Sequence, residues 1–430
     1  MKTLDDIAAI PAPEPMLTAQ DLIARAGALR PLLVAHQAEC EALGRVSDEV
    51  NAELVQAGFY RTVQPRRFGG YEFDVPTFYR VMMEVSRGCM ETGWVLALTA
   101  GHPMLLAAFP LEGQAEAYGP RGEFRGPAAF NPPGTAVAVD GGYRISGAWV
   151  SASGIDIATH FIGSATVQTD QEGEPSAPIQ FVLARDEFTI VDDWQVIGMQ
   201  GTGSKTVHAV DQFVATHRTV RTLGTQRGVD AERQTDRLYD NPMYRGRVGP
   251  FLIGEATAVA VGGARAALDL FAQSMVGKRG MFPPHLERTA DPEYQGYYGR
   301  ALALVSTAEA ALVRAGEDFM DYAQAEAEGR ESFGRDKELR LSLIEQQCVH
   351  MAWEALDLIF RTAGTTASAK QGAALGRIFR DMAVINTHPA LQLERTGLAA
   401  AKLRLDPPPA PSPGNRSRWP APAGRGTFTG

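Results

Sequence analysis

The sequence predicts an α+β protein made of three consecutive blocks, helical, then β, then helical. Two observations carry that prediction. Apolar residues recur at helical spacing over 19–108 and again from Gly249 onward. Between them, residues 125–220 switch to alternation or short apolar runs punctuated by Gly, Pro and Asp. Blocks in that order leave a cleft where they meet. The composition shifts divide the chain into a flexible N-terminus (1–16), an N-terminal helical domain (17–123), a central β domain (124–222), a C-terminal helical bundle (223–405) and a Pro-rich tail (406–430).

The first block opens after the Pro-rich stretch 1–15. Apolar residues from Leu22 to Leu43 are spaced for one face of a helix over 19–43. Ser47-Asp48-Glu49 is an N-cap signal for a second helix ending near Gly58. Two more helices are predicted over 75–89 and 92–108. The latter is apolar almost throughout and is therefore a buried helix, with one interruption at Gly101-His102-Pro103. The β block reads as many short strands with close turn signals, which suits a compact barrel or sandwich. Residues 224–244 are polar, and a loop of that length suits a lid. Helices follow over 253–276, 297–327, 335–362 and 372–387, before a tail dense in Pro, Gly and Arg.

Bulk properties exclude several classes of function. A net charge of −9 over 430 residues makes no electrostatic case for nucleic acid or an anionic membrane. Cys40, Cys89 and Cys348 are isolated and fit a reducing cytoplasm better than disulfides or zinc. No signal peptide is read at the N-terminus, and no apolar run is read as a membrane span. No His-x-x-x-His or His-Glu-x-x-His spacing occurs, so no metal site is expected. A serine-hydrolase elbow is also missing.

Three places are candidates for chemistry. Gly147 to Gly154 (G-A-W-V-S-A-S-G) combines an aromatic, small hydroxyls and Gly on a strand, which suits a flat ring lying against a sheet edge. Gly198 to Ser204 (G-M-Q-G-T-G-S) is the densest Gly cluster. It fails as a dinucleotide fingerprint because strand character follows it, and it fails as a P-loop for want of Gly-Lys-Ser/Thr. It remains either a plain turn or a backbone nest for a polar ring edge or phosphate. His102 in an apolar helix and His388 at a helix end each fit a structural role, as a core or cap residue, as well as a general base.

The block order together with R-F-G-G-Y (67–71), E-T-G-W-V (91–95), G-H-P (101–103), the two Gly segments and R-I-F-R-D-M-A-V-I-N-T-H-P (377–389) resembles the acyl-CoA dehydrogenase fold. The resemblance covers about 17–405. It is closest to the flavin-dependent monooxygenase branch, which includes the oxygenase component of p-hydroxyphenylacetate hydroxylase and related aromatic hydroxylases. Acyl-CoA dehydrogenases commonly carry a catalytic Glu-Gly shortly after the Arg-Asp helix. Here Arg380-Asp381 is followed instead by Asn386-Thr387-His388-Pro389. The monooxygenase branch carries His there and a second His before the β domain, which His388 and His102 match.

That resemblance implies a helical domain, a central β-barrel and a C-terminal four-helix bundle. It implies reduced FMN, or alternatively FAD, delivered by a separate NAD(P)H-dependent reductase. The flavin would lie against Trp149, Ala152 and Ser153, with Ser153 near N5. Gly201, Thr202, Gly203 and Ser204 would contact the ring or ribityl chain, and Arg279 would reach the phosphate, often across a subunit interface. Gln200 departs from the Arg frequent in that motif. Reaction with dioxygen through a C4a-hydroperoxide would occur in an apolar pocket of Trp94, Leu98 and Met104, with His102, Ser153 and His388 as the catalytic set. The implied substrate is a small, phenolic or other aromatic molecule, and the implied assembly is a cytoplasmic homotetramer. An N- or S-oxygenase, a dehydrogenase or oxidase with a base such as Glu255, and a non-catalytic flavin binder are the alternatives.

Overall fold

The computed structural model describes residues 7–168, 178–221 and 239–405. The first block contains α1 (Ala19–Ala28), α2 (Arg30–Leu43), α3 (Asp48–Gln56), α4 (Val75–Gly88), α5 (Met90–Ala100), α6 (Pro103–Leu106) and α7 (Leu111–Tyr118). The sheet strands are β1 (Ala128–Val139), β2 (Gly142–Ala152), β3 (His160–Val167), β4 (Pro178–Ala184), β5 (Thr189–Val191), β6 (Lys205–Ala215) and β7 (Thr219–Arg221). The last block contains α8 (Val248–Met275), α9 (Pro292–Ala327), α10 (Arg335–Thr362), α11 (Thr365–Ser368), α12 (Ala374–Ile385) and α13 (Leu393–Leu405). The three blocks and the four long C-terminal helices are those expected from the sequence. The lid reading for 224–244 and the tail 406–430 fall largely or wholly outside the described residues.

Local chemistry explains the boundaries. The helix expected over 19–43 is two helices, because Pro31 has no N–H to continue the first ladder and instead sits in the opening turn of α2. α1 itself is opened by a Thr18–Asp21 capping box. Gly101-His102-Pro103 breaks the helix expected over 92–108 in the same way, so His102 caps α6.

Two expectations need correction. The β domain is one open sheet of order β5-β6-β2-β1-β3-β4-β7, not a closed barrel, and its β1–β3 pairing is parallel. Its short end strands β5 and β7 do not pair with each other. Nor is the N-terminus loose from residue 7 on. Ile10 N–H donates to the Arg67 carbonyl at 3.0 Å, and Arg25 grips Glu14 with two hydrogen bonds of 2.7 Å. Ile7 and Ile10 add apolar packing against the helical core.

Two cores result. A small one fills the sheet domain around Trp149, Phe161, Phe181 and Phe188, while a large one joins the two helical blocks. α8 is the axis of the large core and packs on α4, α5, α9, α10 and α12. By length and composition it could cross a membrane, but 83% of its most apolar window is buried in the protein, so it is a core helix.

Candidate active site

The site forms where β2, the 199–204 turn, α5 and the loop after α12 meet. A β-bulge aims β2 at it. Trp149 pairs with Val207 but Ala152 pairs with Lys205, so β2 carries one residue more than β6 over this interval. Val150 and Ser151 point to solvent, Ser151 with φ +61°, and alternation is lost. Ser153 is thereby turned onto α5, and the next residue, Gly154, has φ +77°. A Cβ on Gly154 would stand 2.7 Å from Val95 Cγ1, so only glycine allows this approach.

The same bulge corrects two expectations. The Trp149 and Ala152 side chains lie in the sheet core rather than on a ring-binding face. Trp149 is fully buried, and its indole N–H donates to the Ser164 carbonyl at 2.8 Å. Gly134 and Gly147 leave the room its six-membered ring takes.

Around Ser153 the polar groups form a line. Trp94 Nε1–H donates to Ser153 Oγ at 3.0 Å. Ser153 Oγ and Ser204 Oγ are 2.7 Å apart, as are Ser204 Oγ and Thr202 Oγ1. Thr202 Oγ1–H donates to the Met199 carbonyl at 2.8 Å. Gly154 N–H donates to the Thr202 carbonyl at 2.8 Å and ties the turn to β2.

Gly201 and Gly203 face protein, not a ligand. A Cβ on Gly201 would stand 2.7 Å from Glu91 Oε2, and one on Gly203 would stand 2.4 Å from Asp156 Oδ2. Thr202 and Ser204 are therefore the members of this turn whose side chains reach the Ser153 line.

Opposite stands α5, of which Leu98 alone is not fully buried. Glu91, Trp94 and Leu98 share one helical face at i, i+3 and i+7. Leu98 is thus the least buried part of that face, with Met104 buried on the following short helix. The His388 ring meets the Trp94 ring edge-on at 5.6 Å between centroids. His388 Nδ1 accepts from Ala390 N–H at 3.3 Å, so the neutral ring carries its proton on Nε2. His388 keeps an exposed surface, yet the protein mass crowded around it lowers its pKa.

His102 lies deeper, and its Nδ1 is 2.7 Å from the Gly126 carbonyl, which can only accept. Its proton is therefore on Nδ1, and Nε2 faces Glu255 at 3.5 Å. Glu255 is fully buried, and burial pushes its pKa up to about 7. Both ring nitrogens of His102 thus face protein groups, Nδ1 at hydrogen-bond distance and Nε2 at a longer approach to the Glu255 carboxyl.

Arg279 lies apart from this site within one chain. It sits four residues past the end of α8 and pairs with Glu287 at 3.0 Å. A rise of about 1.5 Å per residue puts roughly 30 Å of helix between Glu255 and Met275.

The sequence reading missed two carboxyls. Glu91 Oε1 accepts from Gly201 N–H at 2.8 Å, and Asp381 Oδ1 accepts from Met199 N–H at 2.6 Å. Together they clamp the 199–201 turn between α5 and α12. Burial raises both pKa values. A lone Glu in an otherwise apolar helix was the available signal.

Comparison with known proteins decides the family. Residues 27–121 match the acyl-CoA dehydrogenase N-terminal domain, and residues 255–393 match the acyl-CoA dehydrogenase C-terminal domain. The chain is 32% identical over 376 residues to a flavin-dependent monooxygenase oxygenase subunit, HsaA, of Rhodococcus jostii, covering 86% of this chain and 94% of that protein. The chain belongs to the flavin-dependent monooxygenases of the acyl-CoA dehydrogenase fold. It is 28% identical over 407 residues to the oxygenase component of an FADH2-dependent resorcinol hydroxylase from a Rhizobium species, covering 92% and 98% of the two chains. The crystal structure of 3-HSA hydroxylase from a Rhodococcus species superposes with a TM-score of 0.81 at 28% identity, covering 90% of this monooxygenase and 97% of that one.

A reduced flavin fits these residues. Ser153 offers an oxygen beside the Trp94 indole, and the hydroxyl line carries no charge that a neutral ring would have to desolvate.

Proposed function

We propose that this monooxygenase is the oxygenase component of a two-component system that hydroxylates a small phenolic substrate in the cytoplasm. The observation that carries this reading is the convergence of Ser153, Trp94 and His388 from β2, α5 and the loop after α12 on one cleft. Bound reduced flavin supplies the oxygen activation, and the chain supplies placement and a dry wall. Ser153 holds the ring edge. Trp94, Leu98 and Met104 exclude water from the reacting face. His388 presents Nε2–H to the substrate oxygen, orienting a phenol and favouring its phenolate by hydrogen bonding. His102 acts behind them as a positioning residue between Gly126 and Glu255.

FMN was the flavin expected from the sequence. The resorcinol hydroxylase relative is named FADH2-dependent, and that name supports reduced FAD here. The oxygenase-subunit names of the relatives support a separate flavin reductase as a transient partner. A homotetramer is supported by the loop after α8. Val276, Met281 and Phe282 are 69%, 80% and 76% exposed there, an apolar surface suited to a second copy of the chain. On this reading Arg279, on the same loop, would reach the flavin phosphate of a neighbouring subunit.

Purified protein, a generic flavin reductase, NADH and FAD or FMN under 18O2 test the proposal against a panel of phenols. Incorporation of one labelled oxygen into a phenol is the expected result. NADH oxidation that yields only peroxide, with labelled product from indoles, thioethers or amines instead, would replace the phenolic assignment.

A further inference from the structure

We propose that Glu91 and Asp381 are positioning residues for the hydroxylation: with a single proton between them they brace the 199–201 turn between α5 and α12, and that brace sets the spacing of Trp94 and His388. The inference rests on the reading that those two rings face the substrate.

The bracing follows from where the two grips lie. Glu91 Oε1 accepts from Gly201 N–H at 2.8 Å, and Trp94 stands one helical turn further along α5. Asp381 Oδ1 accepts from Met199 N–H at 2.6 Å, and α12 ends soon after at Ile385, whose carbonyl accepts from His388 N–H at 2.9 Å. The Trp94 and His388 rings, 5.6 Å apart between centroids, are therefore carried by helices that hold the same turn. That turn is stiff. Met199 has φ +57°, a left-handed conformation that a β-carbon disfavours, and it is fixed on both sides. Asp381 holds its N–H, while its carbonyl accepts from Trp194 Nε1–H at 2.9 Å and Thr202 Oγ1–H at 2.8 Å.

The proton follows from the charges that meet here. Glu41 of α2 joins Glu91 and Asp381, and the facing cations are Arg377 and Arg380 of α12. Both guanidiniums are engaged by Glu41, Arg377 at 2.9 Å and Arg380 at 3.2 Å, and they also serve Gln37 and the Ile197 carbonyl. The nearby thiols of Cys40 and Cys89 are buried, and burial keeps them neutral. α8 packs on both helices, but its Glu255 faces His102, its Arg265 pairs with Glu84 and its Asp269 pairs with Arg87. Among the described residues one negative charge is thus left over, and one proton cancels it. The proton belongs on Glu91, which is fully buried and whose Oε2 meets no hydrogen-bond partner, a place where an ionised oxygen is costly. Burial, and then the charge of Asp381, hold the Glu91 pKa well above the usual carboxylate range. Loss of that proton sets two carboxylates against each other across the turn and drives α5 and α12 apart.

Hydrogen exchange of the full-length protein, read by mass spectrometry on peptides spanning 195–205 and corrected for intrinsic rates, tests the brace without cofactor or substrate. The Met199 and Gly201 amides of wild type should be protected at about pH 6.5 and lose about tenfold in protection per pH unit above the Glu91 ionisation. Glu91→Gln keeps an acceptor for Gly201 N–H and has nothing to titrate, so its protection should stay level. Glu91→Asp is one methylene short and should expose the turn at every pH. With FAD and a generic reductase, kcat/KM for the best phenol should fall over the same pH range in wild type, and that fall should be missing in Glu91→Gln. Wild-type protection that does not change with pH overturns the shared proton. So does a Glu91→Gln protein that loses protection along with wild type. If Glu91→Gln does not fold, Asp381→Asn, which also removes one titratable carboxyl and keeps an acceptor, should show the level profile, and the wild-type profile decides on its own. Level protection in Glu91→Gln beside a wild-type-like fall in kcat/KM overturns the positioning role. A protein that hydroxylates no phenol, yet shows the predicted exchange, fails the functional reading and not the brace.

Discussion

His102 and His388 carry opposite neutral tautomers, and their neighbours set the difference. His102 gives its Nδ1 proton to Gly126 and turns Nε2 to a buried carboxyl. His388 accepts at Nδ1 from a backbone N–H and leaves Nε2–H unclaimed among the described residues. One ring is closed into the helical core and the other is open to the cleft. The lesson is that a histidine's availability depends on what its other nitrogen touches, which spacing along the chain does not encode.

The sharpest way to break this contrast is to delete each ring and read stability. His102→Ala removes a fully packed ring, strands the Gly126 carbonyl and leaves Glu255 without its nearest polar neighbour. A loss of about 3 kcal/mol in urea unfolding is expected. The same deletion at His388 should change stability by less than about 0.5 kcal/mol, as for other accessible positions. Equal losses at the two sites would erase the distinction.

The pH dependence of stability sharpens it further. Burial raises Glu255 to about 7, so the folded chain holds a proton that the unfolded chain releases near 4.5. Between those values the folded state binds more protons, and stability falls as pH rises, by at most about 1.4 kcal/mol per pH unit for this group. Glu91 and Asp381 are raised in the same direction and add to the slope. Glu255→Gln should flatten its share of the decline between about pH 4.5 and 7. An unchanged slope would mean that Glu255 is ionised in the folded chain.

Much of the fold was legible because its signals are local. The two helical blocks, the switch to strands at 125 and the buried character of α5 all follow from periodicity. Motif order singled out His102, Ser153 and His388 as one set, with Trp94 as pocket lining. What could not be read depends on register and contact. The extra residue in β2 reverses which of residues 149–153 face the sheet core, and nothing in Trp-Val-Ser-Ala-Ser announces it. Parallel pairing of β1 with β3 joins segments about thirty residues apart, so an open sheet and a barrel look alike in sequence. Glu255 was in view only as an alternative base. Its meaning came from the ring of His102, which α8 brings alongside.

The smallest expected effect concerns the open histidine and bears most directly on chemistry. His388→Ala removes one hydrogen bond to a substrate oxygen, so kcat/KM for the best phenol should fall by about tenfold, and by up to about 100-fold if that oxygen is charged in the transition state. His388→Gln keeps an N–H donor near the same point and should recover part of the loss. If Nε2 instead removed a proton as a base, glutamine would rescue nothing, because an amide cannot accept a proton near neutral pH. The loss would then approach the 100- to 10,000-fold typical of general base catalysis. Comparing alanine with glutamine at this one position, at matched flavin reduction, separates orientation by donation from deprotonation. The 3.3 Å contact from Ala390 N–H to Nδ1 favours donation, because it keeps the ring proton on the nitrogen that faces the cleft.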